Sequence, residues 1–595
     1  MPSVQPIENH AIVGDLHTVA LVALDGTIDF MCLPRFDSPT IFASLLDSER
    51  GGCFRITPTL EHPHHRQLYL PDSNVLLTRF LSADGVAEIS DFMPVEEVQN
   101  AHSLVRRVKT VRGEIEFRLS CAPRFDYARS PHRSEPAEDG VLFASDGLRI
   151  RLRSSVPLEI VDGDAVSTFK LRAGESAAFV LEDARAELQC DAHAYVSQSF
   201  KRTLDFWRHW INQCRYQGRW REIVNRSALT LKLLVSKPFG SLVAAPTFGL
   251  PEVVGGSRNW DYRYTWIRDA SFTIYALMRL GYTEEAAAFN RWIEERCRKL
   301  KPDGSLQIMY RTDGSHDLRE ETLDHFAGYR GSRPVRIGNG AADQLQLDIH
   351  GELLDSVYLY NKWGGPISHD FWENLVRLVD WVAGHWREPD AGIWETRKGP
   401  QQFVYSRLMC WVALDRGIRL AHERSFPAPI SRWIEVRDSI YGDIFENFWD
   451  PEQKTFVQHR GSKTVDAACL LMPMVKFISP TDPRWLSTLA AIDRALVEDS
   501  LVYRYGRDDP SLEGTADGTF CMCTFWFAEC LARAGDVKRA RFIFEKMLGY
   551  ANHVGLYAEQ LGPAGEHLGN FPQAFTHLGL ITAAYSLDRC LSRER

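Results

Sequence analysis

Two hydrophobic periods divide the chain. Through the first 190 or so residues, β-branched and apolar residues occur in short runs separated by tight-turn dipeptides. Asp25-Gly26 lies between Val19-Ala20-Leu21-Val22 and Thr27-Ile28-Asp29-Phe30, and Asp84-Gly85 and Asp146-Gly147 repeat the arrangement. Such pairs accept the positive φ angles of hairpin turns, so the pattern predicts an antiparallel β-sandwich. From about residue 219 the apolar positions recur at helical spacing instead, over roughly 219–236, 269–281, 283–299, 344–361, 368–386, 402–421, 427–447, 464–476, 482–498, 519–534, 536–551 and 573–592. Short links such as Gly281-Tyr282 and Gly535-Asp536 imply antiparallel neighbours, so these twelve segments predict six hairpins. Six inner and six outer helices form an (α/α)6 barrel.

The expected organisation is therefore a multidomain β + α chain: an N-terminal β-sandwich over 1–194, a linker helix region over 195–218 and an (α/α)6-barrel domain over 219–595. Composition supports the division, since all 16 tryptophans lie after residue 200. Length requires it, because one hydrophobic core stops growing at about 250–300 residues. Long connections rich in Gly, Trp, Tyr, Arg and Glu precede every second helix of the array. Alternate connections of a hairpin array share one rim, so the chemistry is expected at one mouth of the barrel.

Net charge is −9, with a pI near 6.1. No global basic field exists to gather nucleic acid or anionic lipid, and no unbroken apolar run is long enough for a membrane helix. The expected partner is a small neutral substrate, with neither nucleic acid nor membrane involved; a homo-oligomer is left open. The N-terminus shows no export pattern, and the scattered cysteines read as buried thiols of a reduced, cytoplasmic protein. Cys521-Met522-Cys523 lacks a second ligand pair, so neither a metal nor another cofactor is expected.

Candidate chemistry rests on carboxylates at the expected rim. Glu395 stands in Ala391-Gly392-Ile393-Trp394-Glu395-Thr396, with an indole beside it to lower local polarity and raise its pKa. Glu559 stands in Leu556-Tyr557-Ala558-Glu559-Gln560. Two such groups suit glycoside hydrolysis, where one carboxyl protonates the leaving oxygen and the other acts on the opposite face. Each alone also reads as a solvated loop carboxylate. The run Asn259 to Asp269 interleaves Tyr262 and Trp266 with Arg268 and Asp269. That mixture suits a sugar's hydroxyls and its apolar C–H face; it equally suits a helix cap with core aromatics.

The stretches IENHAIVGDLHTVALVALDGTIDFMCLPRFDSP, NWDYRYTWIRDASFT, GYRGSRPVRIGN, LQLDIHGELLD and GNFPQAFTHLGL, with the Trp394-Glu395 pair, resemble bacterial members of glycoside hydrolase family 15 from end to end. This is the glucoamylase, glucodextranase and trehalase group. The resemblance implies Glu395 as general acid, Glu559 as general base, and Tyr262, Trp266, Arg268 and Asp269 around the non-reducing glucose; Trp394 is a further candidate for binding the substrate. It also implies the sandwich-plus-barrel fold. Fungal glucoamylases carry a second glutamate after the acid, where this chain has Thr396, so the expectation shifts from starch towards a small α-glucoside. Trehalose comes first, with malto- or isomalto-oligosaccharides as the alternative. A disaccharide phosphorylase and a non-catalytic sugar-binding protein are the competing readings. The basic stretch 458–463 has no expected contact.

Overall fold

The computed structural model describes residues 4–95, 102–185, 191–301, 304–397, 399–506 and 518–593. Two eight-stranded antiparallel sheets form the N-terminal part. One runs His10–Gly14, Val19–Ala23, Ile28–Cys32, Cys53–Pro58, Glu114–Ala122, Asp164–Arg172 and Glu159–Val161, with Thr40–Phe42 paired to Ile28–Cys32. The other runs Arg133–Ala137, Gly140–Ser145, Leu148–Ser154, Ser176–Asp183, Ser103–Arg112, Val86–Phe92, Leu76–Leu81 and His64–Tyr69. In Leu76–Leu81 buried and half-buried residues alternate, as expected of a strand covered on one face. His10–Gly14, Val19–Ala23 and Ile28–Cys32 are buried at every position. The barrel covers their second face. Asn552, which follows one outer helix, donates to the Glu8 and His10 carbonyls at 3.0 and 2.7 Å.

A helix from Ala192 to Ile211, capped by Asp191, leads out of the sandwich. Helices then follow at Arg221–Leu233, Ile267–Leu280, Thr283–Arg298, Asp348–Trp363, His369–His385, Val404–Arg424, Ile430–Asn447, Pro483–Leu496, Cys521–Ala534, Val537–Leu548 and Ala574–Arg593. Ser368 caps one, and Asp482 with Pro483 at the first helical position starts another. Ile267–Leu280, Asp348–Trp363, Val404–Arg424, Cys521–Ala534 and Ala574–Arg593 form an inner ring, in which consecutive helices pack on each other except between Val404–Arg424 and Cys521–Ala534. Val404–Arg424 and Cys521–Ala534 are buried nearly all round, as inner helices of such a ring must be.

One expected helix is absent. Residues 464–476 contain only a 3₁₀ turn, Ala467–Leu471, capped by Asp466. It packs between Val404–Arg424 and Cys521–Ala534, in the place an inner helix would take. Pro473 explains the shortfall, since it lacks the N–H and crowds the preceding turn of a continuing helix. The periodicity was that of a buried apolar segment, which a short turn satisfies as well.

Candidate active site

A cavity of about 910 Å³, open to solvent, lies at one rim of the barrel. Its walls come from the segments just before the inner helices and from their first turns: Tyr262, Trp266, Arg268, Asp269, Trp394, Glu395, Phe520, Glu559 and Phe575 among them. All seven residues singled out from the sequence meet here.

The run before helix Ile267–Leu280 is extended, and alternation sorts its side chains. Trp260, Tyr262 and Trp266 line the cavity, whereas Asp261 and Arg263 are fully buried on the other side. Arg263 pairs with Asp261 at 2.6 Å and donates to the Ser38 carbonyl and the Tyr127 hydroxyl at 2.8 and 3.2 Å. The sandwich thus holds the aromatic wall from behind. Tyr262 and Trp266 meet edge to face at 5.4 Å between centroids.

Each donates to one of the two glutamates. The Tyr262 hydroxyl donates to Glu559 Oε1 at 2.7 Å, and Trp266 Nε1 to Glu395 Oε1 at 2.7 Å. Arg268 Nη2 lies 3.7 Å from Glu395 Oε1, its Nη1 donates to the Ile393 carbonyl at 2.9 Å, and its Nε contacts Asp269 at 3.2 Å. Burial pushes the Asp269 carboxyl up to about 6 against the pull of Arg268.

Glu395 sits in a tight turn with φ 57°, an uncommon conformation for a residue other than glycine. The turn is tied by Glu395 N–H to the Gly392 carbonyl and Thr396 N–H to the Ala391 carbonyl, both at 3.1 Å. Gly392 is required beneath it, because a Cβ there would lie 2.7 Å from the Phe403 ring. Such strained positions cluster at functional sites. Glu559 precedes the short strand Gln560–Leu561, which pairs with Thr519–Phe520 and His567–Leu568. A Cβ at Gly569, within the GNFPQAFTHLGL stretch, would stand 2.4 Å from Glu559 Oε2. That oxygen is buried and has no hydrogen-bond partner among the described residues.

One detail corrects the expectations. The indole of Trp394 does not serve Glu395: its N–H is turned to Asp466, at 2.9 and 3.0 Å from the two carboxylate oxygens. Trp266 is the indole that meets Glu395. Burial, and then the negative charge of Glu252, push the Glu559 carboxyl up to about 8. Arg504, the Tyr262 hydrogen bond and Arg258 oppose that rise.

Sequence reasoning missed Glu252, Arg258, Arg397, Arg504 and Tyr505, which also line the cavity. They fall outside the quoted stretches, whereas Trp260, Asn339, Gln573 and Phe575 line the cavity from within them. The basic stretch 458–463 is accounted for at the surface, where Lys463 pairs with Asp450 at 2.9 Å and Arg460 N–H donates to the Gln402 carbonyl at 3.0 Å. Neither residue lines the cavity. Asp15, His17 and His102 bring ligand-type atoms within 4.8 Å of one another in the sandwich. They already satisfy each other: His102 Nδ1 meets Asp15 Oδ2 at 2.8 Å, and the other oxygen accepts the His17 and Thr18 N–H groups. Among the described residues, no helix is long and apolar enough to cross a membrane.

The comparisons with known proteins cover the same ground. A family model described as Glycosyl hydrolases family 15 matches residues 218–585, and one described as Trehalase-like, N-terminal matches residues 2–192. A curated trehalase of Thermoplasma volcanium is 37% identical over 99% of this chain and 94% of its own length. A trehalase of Mycobacterium tuberculosis is 36% identical over 98% of this chain and 90% of its own. The crystal structure of a bacterial glucoamylase complexed with acarbose superposes with a TM-score of 0.75 at 14% identity, covering 99% of this chain and 94% of that one, a likeness of fold. With its paired glutamates in one rim cavity, the chain belongs to glycosyl hydrolase family 15 and is a glycoside hydrolase.

Proposed function

We propose that the enzyme hydrolyses trehalose with inversion, releasing β-glucose, with Glu395 as general acid and Glu559 as general base. The observation that carries this reading is the pairing of each glutamate with its own donor in one cavity, Trp266 for Glu395 and Tyr262 for Glu559. Tyr262, Trp266, Arg268, Asp269 and Trp394 then hold the non-reducing glucose. Glu395 is the more accessible carboxyl, with a fifth of its side chain exposed, and suits the side from which the leaving sugar departs. Glu559 is deeper, and its unpartnered oxygen suits a single water kept apart from bulk solvent. Whole-length relatives named trehalase favour trehalose as the substrate, and Thr396 in place of a second glutamate disfavours long starch chains. Domain limits of 1–194, 195–218 and 219–595 and a cytoplasmic location belong to the same proposal. A panel of trehalose, maltose, isomaltose, kojibiose and soluble starch, scored for glucose released, tests the substrate. Higher kcat/KM on soluble starch than on any disaccharide rejects it.

One observation favours a second reading in which the two glutamates exchange roles. A buried carboxyl of raised pKa is the usual environment of a general acid, and here that group is Glu559. The kcat/KM profile separates the two, because it reports the free enzyme's groups. As base, Glu559 must lose its proton, so kcat/KM rises with pH towards about 8. As acid, the same group would make kcat/KM fall over that range.

A further inference from the structure

A further carboxylate, Glu252, lines the same cavity near Glu559 and is itself almost fully buried. Glu252 Oε1 accepts from Trp260 Nε1 at 3.0 Å. Its Oε2 meets Arg504 Nη2 and Arg258 Nη2 at 2.7 Å each, and Gln560 Nε2 at 3.0 Å. Arg258 and Trp260 follow Glu252 within eight residues, whereas Arg504 and Gln560 come from remote segments; Trp260, Arg258 and Arg504 line the cavity with Glu252. The fourth, Gln560, is the residue next to Glu559. A charged carboxylate buried among two guanidiniums, an indole N–H and an amide is satisfied on both oxygens, so burying it is compensated rather than merely tolerated.

We propose that Glu252 is a positioning residue for the hydrolysis: it gathers Arg258, Arg504, Trp260 and Gln560 into one wall and presents that wall, with its charge, to Glu559. It exchanges no proton with substrate. Two effects follow. The wall holds polar donors and an indole face where a second sugar would lie, so loosening it weakens substrate orientation. The charges facing Glu559 are the negative Glu252 and the positive Arg504 and Arg258; the Tyr262 hydroxyl and the buried Cys521 thiol also face it. Glu252 keeps Glu559 protonated to higher pH, and the two arginines do the reverse.

The inference rests on the reading of Glu559 as base, and paired substitutions in the full-length chain test it. Glu252→Gln keeps the shape and removes the charge. With trehalose as the probe, kcat/KM is expected to fall roughly 10–100-fold at its optimum, mostly through KM, and its low-pH limb to move down by about one pH unit. Arg258→Gln, at a more exposed side chain, removes an opposing charge and is expected to move the same limb up. Glu252→Asp retains the charge and is expected to keep the limb near its wild-type position while KM rises. Opposite displacements by two neighbours of one ion pair are not produced by a general loss of structure. A folded Glu252→Gln variant with unchanged limb and KM overturns the proposal, as do limbs that move in the same direction in both charge variants. If Glu559→Gln retains most of its activity, the base assignment has failed instead.

Discussion

The Tyr262 hydroxyl donates to Glu559 Oε1 at 2.7 Å, in opposition to the burial that pushes the same carboxyl up to about 8. A hydrogen bond offered to the ionised form favours that form, so the phenol lets the Glu559 carboxyl ionise at lower pH. Tyr262→Phe is therefore expected to move the rising limb of kcat/KM to higher pH. One pH unit corresponds to about a tenfold loss of kcat/KM on that limb. A limb that stays in place, or moves down, removes Tyr262 from the control of Glu559.

The division of labour between the glutamates has a chemical test. Glu395→Gln and Glu559→Gln are each expected to lower kcat on trehalose by about 10²–10⁴-fold, since each removes a proton transfer. α-Glucosyl fluoride carries a leaving group that needs little protonation. Glu395→Gln should therefore recover most of its activity on the fluoride, whereas Glu559→Gln should not. Recovery by Glu559→Gln alone would exchange the two roles.

Much of this site was legible because its residues sit in dense local patterns. Tyr262, Trp266, Arg268 and Asp269 occupy one extended run and the first turn after it, and alternation along that run turns Tyr262 and Trp266 to the cavity and buries Asp261 and Arg263. The rim was legible too, because the long connections recur before every second helix. Glu252, Arg258 and Arg504 were not, because what unites them is an ion-pair cluster that Arg504 joins from 252 residues away. The segment 464–476 misled for a different reason: apolar spacing reports burial, and Pro473 rather than the spacing decides how far a helix can run. The indole beside Glu395 in sequence also misled, since the strained turn at Glu395 directs Trp394 towards Asp466.

Arg268 and Asp269 form a buried pair, so truncation of either would confuse stability with function. Asp269→Asn keeps the volume and a hydrogen-bonding oxygen. It is expected to lower kcat/KM by at least about 100-fold through lost orientation of the sugar, while Tm changes by only a few degrees. Parallel collapse of Tm and kcat/KM would make Asp269 a structural partner of Arg268 and nothing more.

The central claim is that Glu559 acts on a water rather than on the sugar. A water-activating pair stands about 6.5–9.5 Å apart and inverts the anomeric centre; a nucleophilic pair stands at about 5–5.5 Å and retains it. Trehalose carries two α-linked glucose units, so hydrolysis with inversion releases one β-glucose from the attacked unit and one α-glucose as the leaving sugar. Proton NMR over the first minutes of turnover, before mutarotation equilibrates the anomers, reads this directly. Equal initial amounts of β- and α-glucose are the expected result. Initial release of α-glucose alone, or a trapped glucosyl ester on Glu559, would contradict the mechanism.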